Sequence, residues 1–122
     1  MSYIKPQDVV APQSRWIMQE VIRDDGEGKC SYAMGWWDTN IDDRQEKDKV
    51  IVFRWNGNED NPKGVPTSNS YPIWIVLEDI LYDSIIDTIA TDEVSSAKIR
   101  KFLNLNTEDK KCLNISIELK NL

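Results

Sequence analysis

The sequence predicts an α+β fold in which a mainly antiparallel sheet of about five strands carries two helices on one face. Three observations support this prediction. Strand-like segments separated by turn residues fill the first half of the chain, residues 80–89 repeat apolar side chains at helical spacing, and residues 113–120 alternate apolar and polar side chains. This order of strands, then helices, then a last strand is typical of helices packed on one side of an antiparallel sheet.

The predicted strands follow one another between turns. Residues 15–23 are rich in β-branched and aromatic side chains, and the acidic, glycine-containing turn 24–28 joins them to residues 31–37 as a hairpin. Residues 50–55 read as the central strand, which ends at Asn56 and Gly57. Residues 73–77 read as another buried strand. Residues 1–13 contain two prolines and little periodicity, which predicts an extended N-terminal arm that pairs at a sheet edge.

The second half of the chain predicts two helices and a last strand. The first helix is predicted from Ile80, Leu81, Ile85, Ile86 and Ile89, with Glu78 and Asp79 at its N-terminus. The second is predicted over residues 95–103, with a cap from residues 91–92 or from Ser95. The last strand places Leu113, Ile115, Ile117 and Leu119 on the core.

Length and charge limit the classes of function. The 122 residues fit one domain, residues 1–122, and carry a net charge of −6. An acidic surface repels phosphate, so we expect no nucleic-acid partner, although mimicry of nucleic acid is an alternative. The first 14 residues do not read as a signal peptide, and the longest apolar run is too short to span a bilayer. We therefore expect a cytoplasmic protein without a membrane partner.

The sequence lacks the residues that several kinds of catalysis and metal binding require. The chain has no histidine and no phosphate-binding glycine motif, and its two cysteines, Cys30 and Cys112, have no metal or redox spacing. We therefore expect no cofactor and no metal, and we interpret both cysteines as small buried apolar residues. Two stretches starting at Asp38 and Asn56 loosely resemble calcium loops, but both lack the required Gly and Glu. Carboxylate catalysis stays open as an alternative, and its candidates are Glu20, Asp24, Asp25 and Asp38.

Aromatic and polar residues supply the binding candidates instead. If the odd residues of 50–55 face the helices, Arg54 faces the other side of the sheet together with one of the paired tryptophans. Tryptophan and arginine are frequent anchors of interfaces. The alternative is that each tryptophan is core and that Arg54 pairs with Glu20 or Asp38. The predicted binding residues are Trp36, Trp37, Arg54, Trp55, Asn56, Asn58, Ser68, Asn69 and Trp74.

The loop of residues 56–71 suggests a second type of site. Its asparagines, serines and glycines offer hydrogen-bonding groups beside two of the tryptophans. In this alternative, Trp55 and Trp74 form the apolar wall of a cleft between sheet and loop, while Asn56, Ser68 and Asn69 bind a small ligand or a substrate.

A resemblance follows from three segments. Residues 54–57 (RWNG), residues 64–68 (GVPTS) and residues 72–74 (PIW) resemble a pattern in small uncharacterised bacterial proteins. The resemblance covers roughly residues 15–80 and implies a bacterial origin and no chemistry. Such compact domains also resemble products of mobile gene cassettes.

These observations predict a non-catalytic binding or interaction module of the adaptor, inhibitor or immunity type. We expect a protein partner or self-association as a homodimer. The alternative is a small-ligand-binding protein or a carboxylate-based enzyme.

Overall fold

The computed structural model describes residues 3–38 and 48–105 and confirms the α+β class, with an antiparallel sheet and two helices. The main sheet has four strands in the order β1-β2-β3-β6, and a separate two-stranded sheet pairs β4 with β5. The predicted last strand, residues 113–120, lies outside the described residues, as does Cys112. The strands are β1 (Trp16–Asp24), β2 (Cys30–Trp37), β3 (Asp48–Trp55), β4 (Thr67–Ser68), β5 (Tyr71–Pro72) and β6 (Ile75–Val76).

The first three strands form the predicted antiparallel meander. In the register of β2 and β3, Met34 lies opposite Ile51 and Ala33 lies opposite Val52. Along β3 the side chains alternate between the two faces of the sheet, because successive residues of a strand point in opposite directions. Ile51 packs on the helix side, whereas Val50 and Val52 belong to a second apolar cluster on the other side.

The two helices are α1 (Tyr82–Ile89) and α2 (Glu93–Phe102). They bury Ile86 and Ile99 against Met34 and Ile51 of the sheet. The helix that the sequence predicts from residue 80 begins as a short 3-10 turn, Asp79–Leu81. At the start of α2, a carboxylate oxygen of Asp92 accepts a hydrogen bond from the Ser95 amide at 2.7 Å. Within the described ranges, no helix is long and apolar enough to cross a membrane.

The opposite face of the sheet is covered by the N-terminal segment. Val9 of this segment is fully buried against Val50, Val52 and Trp74. The indole Nε1 of Trp74 donates to the Val9 carbonyl at 2.7 Å, which fixes the segment across the sheet. The N-terminal segment therefore covers the second apolar cluster. Its strand-like contact is an isolated parallel bridge between Ala11 and Ile73.

Candidate binding groove

An open groove of about 740 Å³ lies between the N-terminal segment, the end of β2 and the β4–β5 hairpin. Its apolar and aromatic lining residues are Val10, Ala11, Pro12, Trp37, Tyr71 and Ile73, and its polar ones are Gln13, Arg15, Ser68 and Asn69. Three of the nine predicted binding residues, Trp37, Ser68 and Asn69, therefore meet in one place. A groove with aromatic walls and a few polar groups can bind an apolar group and fix its orientation.

The first wall of the groove is set by a tight turn after Ala11. The Pro12 carbonyl accepts hydrogen bonds from the amides of Arg15 and Trp16, at 3.0 and 2.8 Å. This turn brings the chain from the bridge at Ala11 into β1, and it leaves Gln13 and Arg15 exposed. The wall therefore combines apolar residues of the bridge region with the guanidinium of Arg15.

The second wall is the hairpin of β4 and β5. Its two turn residues, Asn69 and Ser70, have φ angles of 51° and 69°. Positive φ at both central residues is the geometry of a type I′ turn, which matches the twist of paired strands. Tyr71 follows the turn and keeps 65% of its side-chain area exposed beside Ser68, its cross-strand partner. The hairpin therefore presents a tyrosine ring and two small polar side chains to the groove.

The strain of this turn gives a first testable prediction. Serine rarely adopts a φ of 69°, whereas glycine reaches it without a steric cost. We expect Ser70→Gly to raise the free energy of unfolding by about 0.5–1 kcal/mol, as measured by urea denaturation. The control is Ser14→Gly at an exposed turn without positive φ, which we expect to lower it by a few tenths, roughly 0.3 kcal/mol. A loss of stability in Ser70→Gly would contradict the strained-turn interpretation.

Three packed tryptophans lie behind the groove, and one of them, Trp37, lines it. The Trp16 ring lies 6.1 Å from Trp37 and 6.3 Å from Trp74, in tilted contacts. Trp16 and Trp74 are buried, so the alternative that individual tryptophans are core describes their position, while Trp37 is half-buried and reaches the groove. The packing of Trp16 against Trp37 restricts the position of the Trp37 ring.

Arg54 lies inside the protein, with 1% of its area exposed, and not on an open sheet face. The alternation of β3 directs it to the side that the N-terminal segment and Trp74 cover, so a partner cannot reach it. Its Nη1 donates to the Ile73 carbonyl at 2.5 Å and to the Pro66 carbonyl at 3.5 Å, and its Nη2 donates to the Lys63 carbonyl. These bonds replace the predicted pairing with Glu20 or Asp38. Arg54 therefore fixes both ends of the hairpin that forms the groove.

Asn56 is also buried and belongs to a polar network just beyond the C-terminal end of β3. Its side-chain nitrogen donates to Asp24 at 2.9 Å and to the Gly26 carbonyl at 2.8 Å, and its oxygen accepts from Ser31 at 2.8 Å. The Asp24 carboxylate also accepts from the Tyr3 hydroxyl at 3.0 Å. This network joins the β1–β2 turn, the end of β3 and the N-terminal segment, so Asn56 is unavailable to a ligand.

The remaining predicted residues lie away from the groove. Trp55 is 46% exposed and packs edge-on against Phe53, and its position on β3 assigns it to the helix side of the sheet. Trp36 packs edge-on against Phe102 of α2. Asn58 caps its own turn, because its side-chain oxygen accepts from the Asn61 amide at 2.8 Å. The proposed cleft between Trp55 and Trp74 is therefore absent from the described residues, since the two rings lie on different sides of the sheet.

Three of the four candidate catalytic carboxylates are engaged with different partners in the structure. Glu20 pairs with Lys98 at 2.8 Å, and Asp25 pairs with Arg23 at 2.5 Å. Asp24 belongs to the Asn56 network described above. Within residues 3–38 and 48–105, no three side chains of the metal-binding types form a group.

Two buried polar atoms beside Trp37 have no hydrogen-bond partner within the described part of the chain. They are Nε1 of Trp16, whose ring packs on Trp37, and Oδ1 of Asp38, the next residue. An unsatisfied buried polar atom costs about 1–3 kcal/mol, so such atoms are rare and concentrate where something other than stability is selected. Trp16 lies on β1 opposite Trp37, and Asp38 follows Trp37 at the end of β2.

The predicted binding residues did not include the groove residues Arg15, Tyr71 and Val10. Arg15 was read as part of the first strand, and Val10 as part of a featureless arm. A signal for Tyr71 was present, because Asn69 and Ser70 are turn residues between two short strand-compatible pairs. Comparison of this chain with protein-family models, curated proteins and solved structures finds no match.

Proposed function

We propose that this chain is a non-catalytic binding module of the adaptor, inhibitor or immunity type, and that it holds a protein partner in the groove. The observation that carries the proposal is the meeting of Trp37, Tyr71, Ser68 and Asn69 on one open surface, next to the guanidinium of Arg15. Aromatic rings and arginine are the side chains that most often anchor protein interfaces. The bacterial origin, the cytoplasmic location and self-association as a homodimer remain predictions from the sequence.

The build of the groove supports a binding role. Buried residues support its walls. Arg54 donates hydrogen bonds to the ends of the hairpin, and the Trp16 ring packs against Trp37. Contact residues that stand on a fixed frame lose little conformational freedom when a partner binds. The strained turn at Asn69 and Ser70 supports the same conclusion, since strained backbone is concentrated at functional sites.

The test compares two exposed aromatic residues that lie on different sides of the molecule. We expect Tyr71→Ala to weaken binding of a captured partner by about tenfold or more, because the tyrosine ring forms one groove wall. Trp55→Ala is the matched control, because Trp55 is also exposed and lies outside the groove. The affinities are measured by calorimetry with the purified partner, and thermal unfolding confirms that both variants are folded.

Three outcomes would contradict the proposal. One is a partner that Tyr71→Ala still binds and Trp55→Ala loses. A second is a tyrosine variant that binds as tightly as the unchanged protein. The third is the failure to capture any partner, combined with a single monomeric species in sedimentation at high concentration. Self-association of the pure protein that Tyr71→Ala abolishes would identify the partner as a second copy.

A small-molecule ligand is the second candidate, and the size of the groove favours it. Ligand pockets typically enclose about 300–1,000 Å³, and the groove of about 740 Å³ lies within that range. A metabolite screen by thermal shift separates the two candidates, since a specific ligand raises the melting temperature with its concentration. Such a ligand should lose its effect in Tyr71→Ala and keep it in Trp55→Ala.

A further inference from the structure

The charge of the groove is opposite to that of the whole chain. The chain has a net charge of −6, yet among the described residues none that lines the groove is acidic and one, Arg15, is a cation. Long-range fields of an acidic protein repel anions, so a local site for an anion needs a cation at short range. Arg15 belongs to the groove wall that the turn after Ala11 forms.

Arg15 also differs from the other arginines of the described residues. Arg23 pairs with Asp25, Arg100 pairs with Asp83, and Arg54 is used by backbone carbonyls. The guanidinium of Arg15 has no hydrogen-bond or ion-pair partner within residues 3–38 and 48–105. No group in the described part of the chain uses its five N–H donors, whose planar arrangement matches a carboxylate.

The exposure of the walls indicates a protein segment as the occupant. Tyr71 keeps 65% of its area exposed and Val10 keeps 43%, so both lining residues leave much of their surface open to a partner. Small ligands usually bury about 70–90% of their surface in a pocket. Such an open groove does not enclose a small ligand to that extent. A segment of a larger protein covers exposed walls with the surface around it.

We propose that the groove binds a segment of a partner protein in which an aromatic or aliphatic side chain stands next to an aspartate or glutamate. The apolar side chain lies between Trp37 and Tyr71, and the carboxylate pairs with the guanidinium of Arg15. This inference rests on the proposed function and adds the chemistry of the partner to it. Arg15 thereby selects among partners by charge, since an uncharged or basic segment leaves its guanidinium unpaired.

The test uses three capped peptides of equal length that contain phenylalanine followed by aspartate, asparagine or lysine. Binding is measured from ¹H–¹⁵N chemical shifts of the protein as each peptide is added. We expect the aspartate peptide to shift the amides of residues 10–15 and 68–73 and the Trp37 indole. It should bind about three- to fivefold more tightly than the asparagine peptide, as expected for an exposed ion pair, and the lysine peptide should bind most weakly.

Two variants and one further probe complete the test. Arg15→Gln should bring the aspartate and asparagine peptides to within about 1.5-fold of each other, while Lys63→Gln, an exposed cation outside the groove, should leave their ratio unchanged. Phenylacetate carries the same ring and charge as a free acid. If it binds as tightly as the aspartate peptide, the occupant is a small acid and the inference is overturned.

Failure of this inference can be told apart from failure of the proposed function. If all three peptides bind in the groove with equal affinity and Tyr71→Ala removes them, the groove is a binding site and the role of Arg15 is wrong. If no peptide shifts the groove resonances at millimolar concentration, the inference fails as well, and the capture experiment with Tyr71→Ala decides the proposed function independently.

Discussion

Replacing Arg54 with methionine is expected to lower the free energy of unfolding by about 3–5 kcal/mol. Methionine fills similar space but donates no hydrogen bond, so the carbonyls of Lys63, Pro66 and Ile73 lose the donor they share. Part-buried carbonyls that lose a charged donor are costly because water replaces that donor only incompletely. The loss should be concentrated in the β4–β5 hairpin, whose ends these carbonyls mark.

Two matched variants separate the hydrogen bonds of Arg54 from its charge. Arg54→Lys keeps the charge but not the planar set of donors, so we expect about half of the loss. Arg23→Met removes an exposed arginine that pairs with Asp25, and it should cost less than about 1 kcal/mol. Urea denaturation followed by tryptophan fluorescence gives the three values. Equal stability of the Arg54→Met and Arg23→Met variants would show that the buried fork has no structural role.

The pKa of Arg54 determines how these values depend on pH. Burial lowers the pKa of Arg54 to about 10, so the guanidinium stays charged at neutral pH. Because the pKa in the folded state lies below that in the unfolded state, the charge opposes folding below pH 10. That cost is relieved as the pH rises through about 10. The loss in Arg54→Met should therefore be constant between about pH 6 and 9, since neither state of Arg54 titrates there.

The alanine variant of Gly64 is expected to lose about 3 kcal/mol or more of stability. Gly64 has a φ of 64°, and a Cβ atom there would overlap the carbonyl oxygen of Trp55 and lie 2.7 Å from the Gly57 nitrogen. All of these neighbours are backbone atoms, so no side chain can rotate away. The chain would have to open the bridge between Trp55 and Val65, where N–H···O bonds of 2.9 and 3.0 Å now join the loop to β3.

Gly28 provides a matched control for Gly64. Its φ of 69° is nearly the same, but a Cβ atom there would meet no atom within 4 Å. Gly28→Ala therefore measures the conformational cost alone, for which we expect about 1 kcal/mol. The difference between the two variants, in urea denaturation at one pH, measures the steric part. Similar losses in both variants would show that the loop around Gly64 moves aside freely.

Both of these large losses of stability are predicted for residues that support the groove without lining it. Arg54 binds the ends of the β4–β5 hairpin. Gly64 allows the loop before that hairpin to pack closely against the end of β3. Neither side chain can touch a partner. We therefore expect any loss of binding in these variants to follow their loss of stability, whereas Tyr71→Ala should weaken binding in a folded protein.

Local sequence patterns were sufficient for the first three strands and the two helices, but not for the short strands β4 and β5. The meander of β1, β2 and β3 follows from alternating apolar residues between turns, and the helices follow from isoleucines at helical spacing. The alternation along β3 also assigned Ile51 and Val52 to opposite faces correctly. Each of these features depends on residues that are close in the chain, so short-range periodicity is enough to predict them.

The candidate site could be predicted only in part. Trp37, Ser68 and Asn69 were expected from their residue types, and they line the groove. An arginine on a half-buried strand is usually exposed or paired with a carboxylate, so the sequence predicted Arg54 at a surface. Its burial depends on carbonyls up to 19 residues further along the chain, and no local pattern indicates these contacts.

By itself, then, the sequence determined the α+β class, the meander of three strands, the two helices and the aromatic and polar residue types that a binding site needs. Only the tertiary structure decided which face of the sheet is closed, that Arg54 and Asn56 are internal, and that Arg15, Trp37 and Tyr71 share one groove. The reason is physical. Periodicity follows from the geometry of the local backbone, whereas burial and the meeting of distant side chains depend on contacts between segments far apart in the chain.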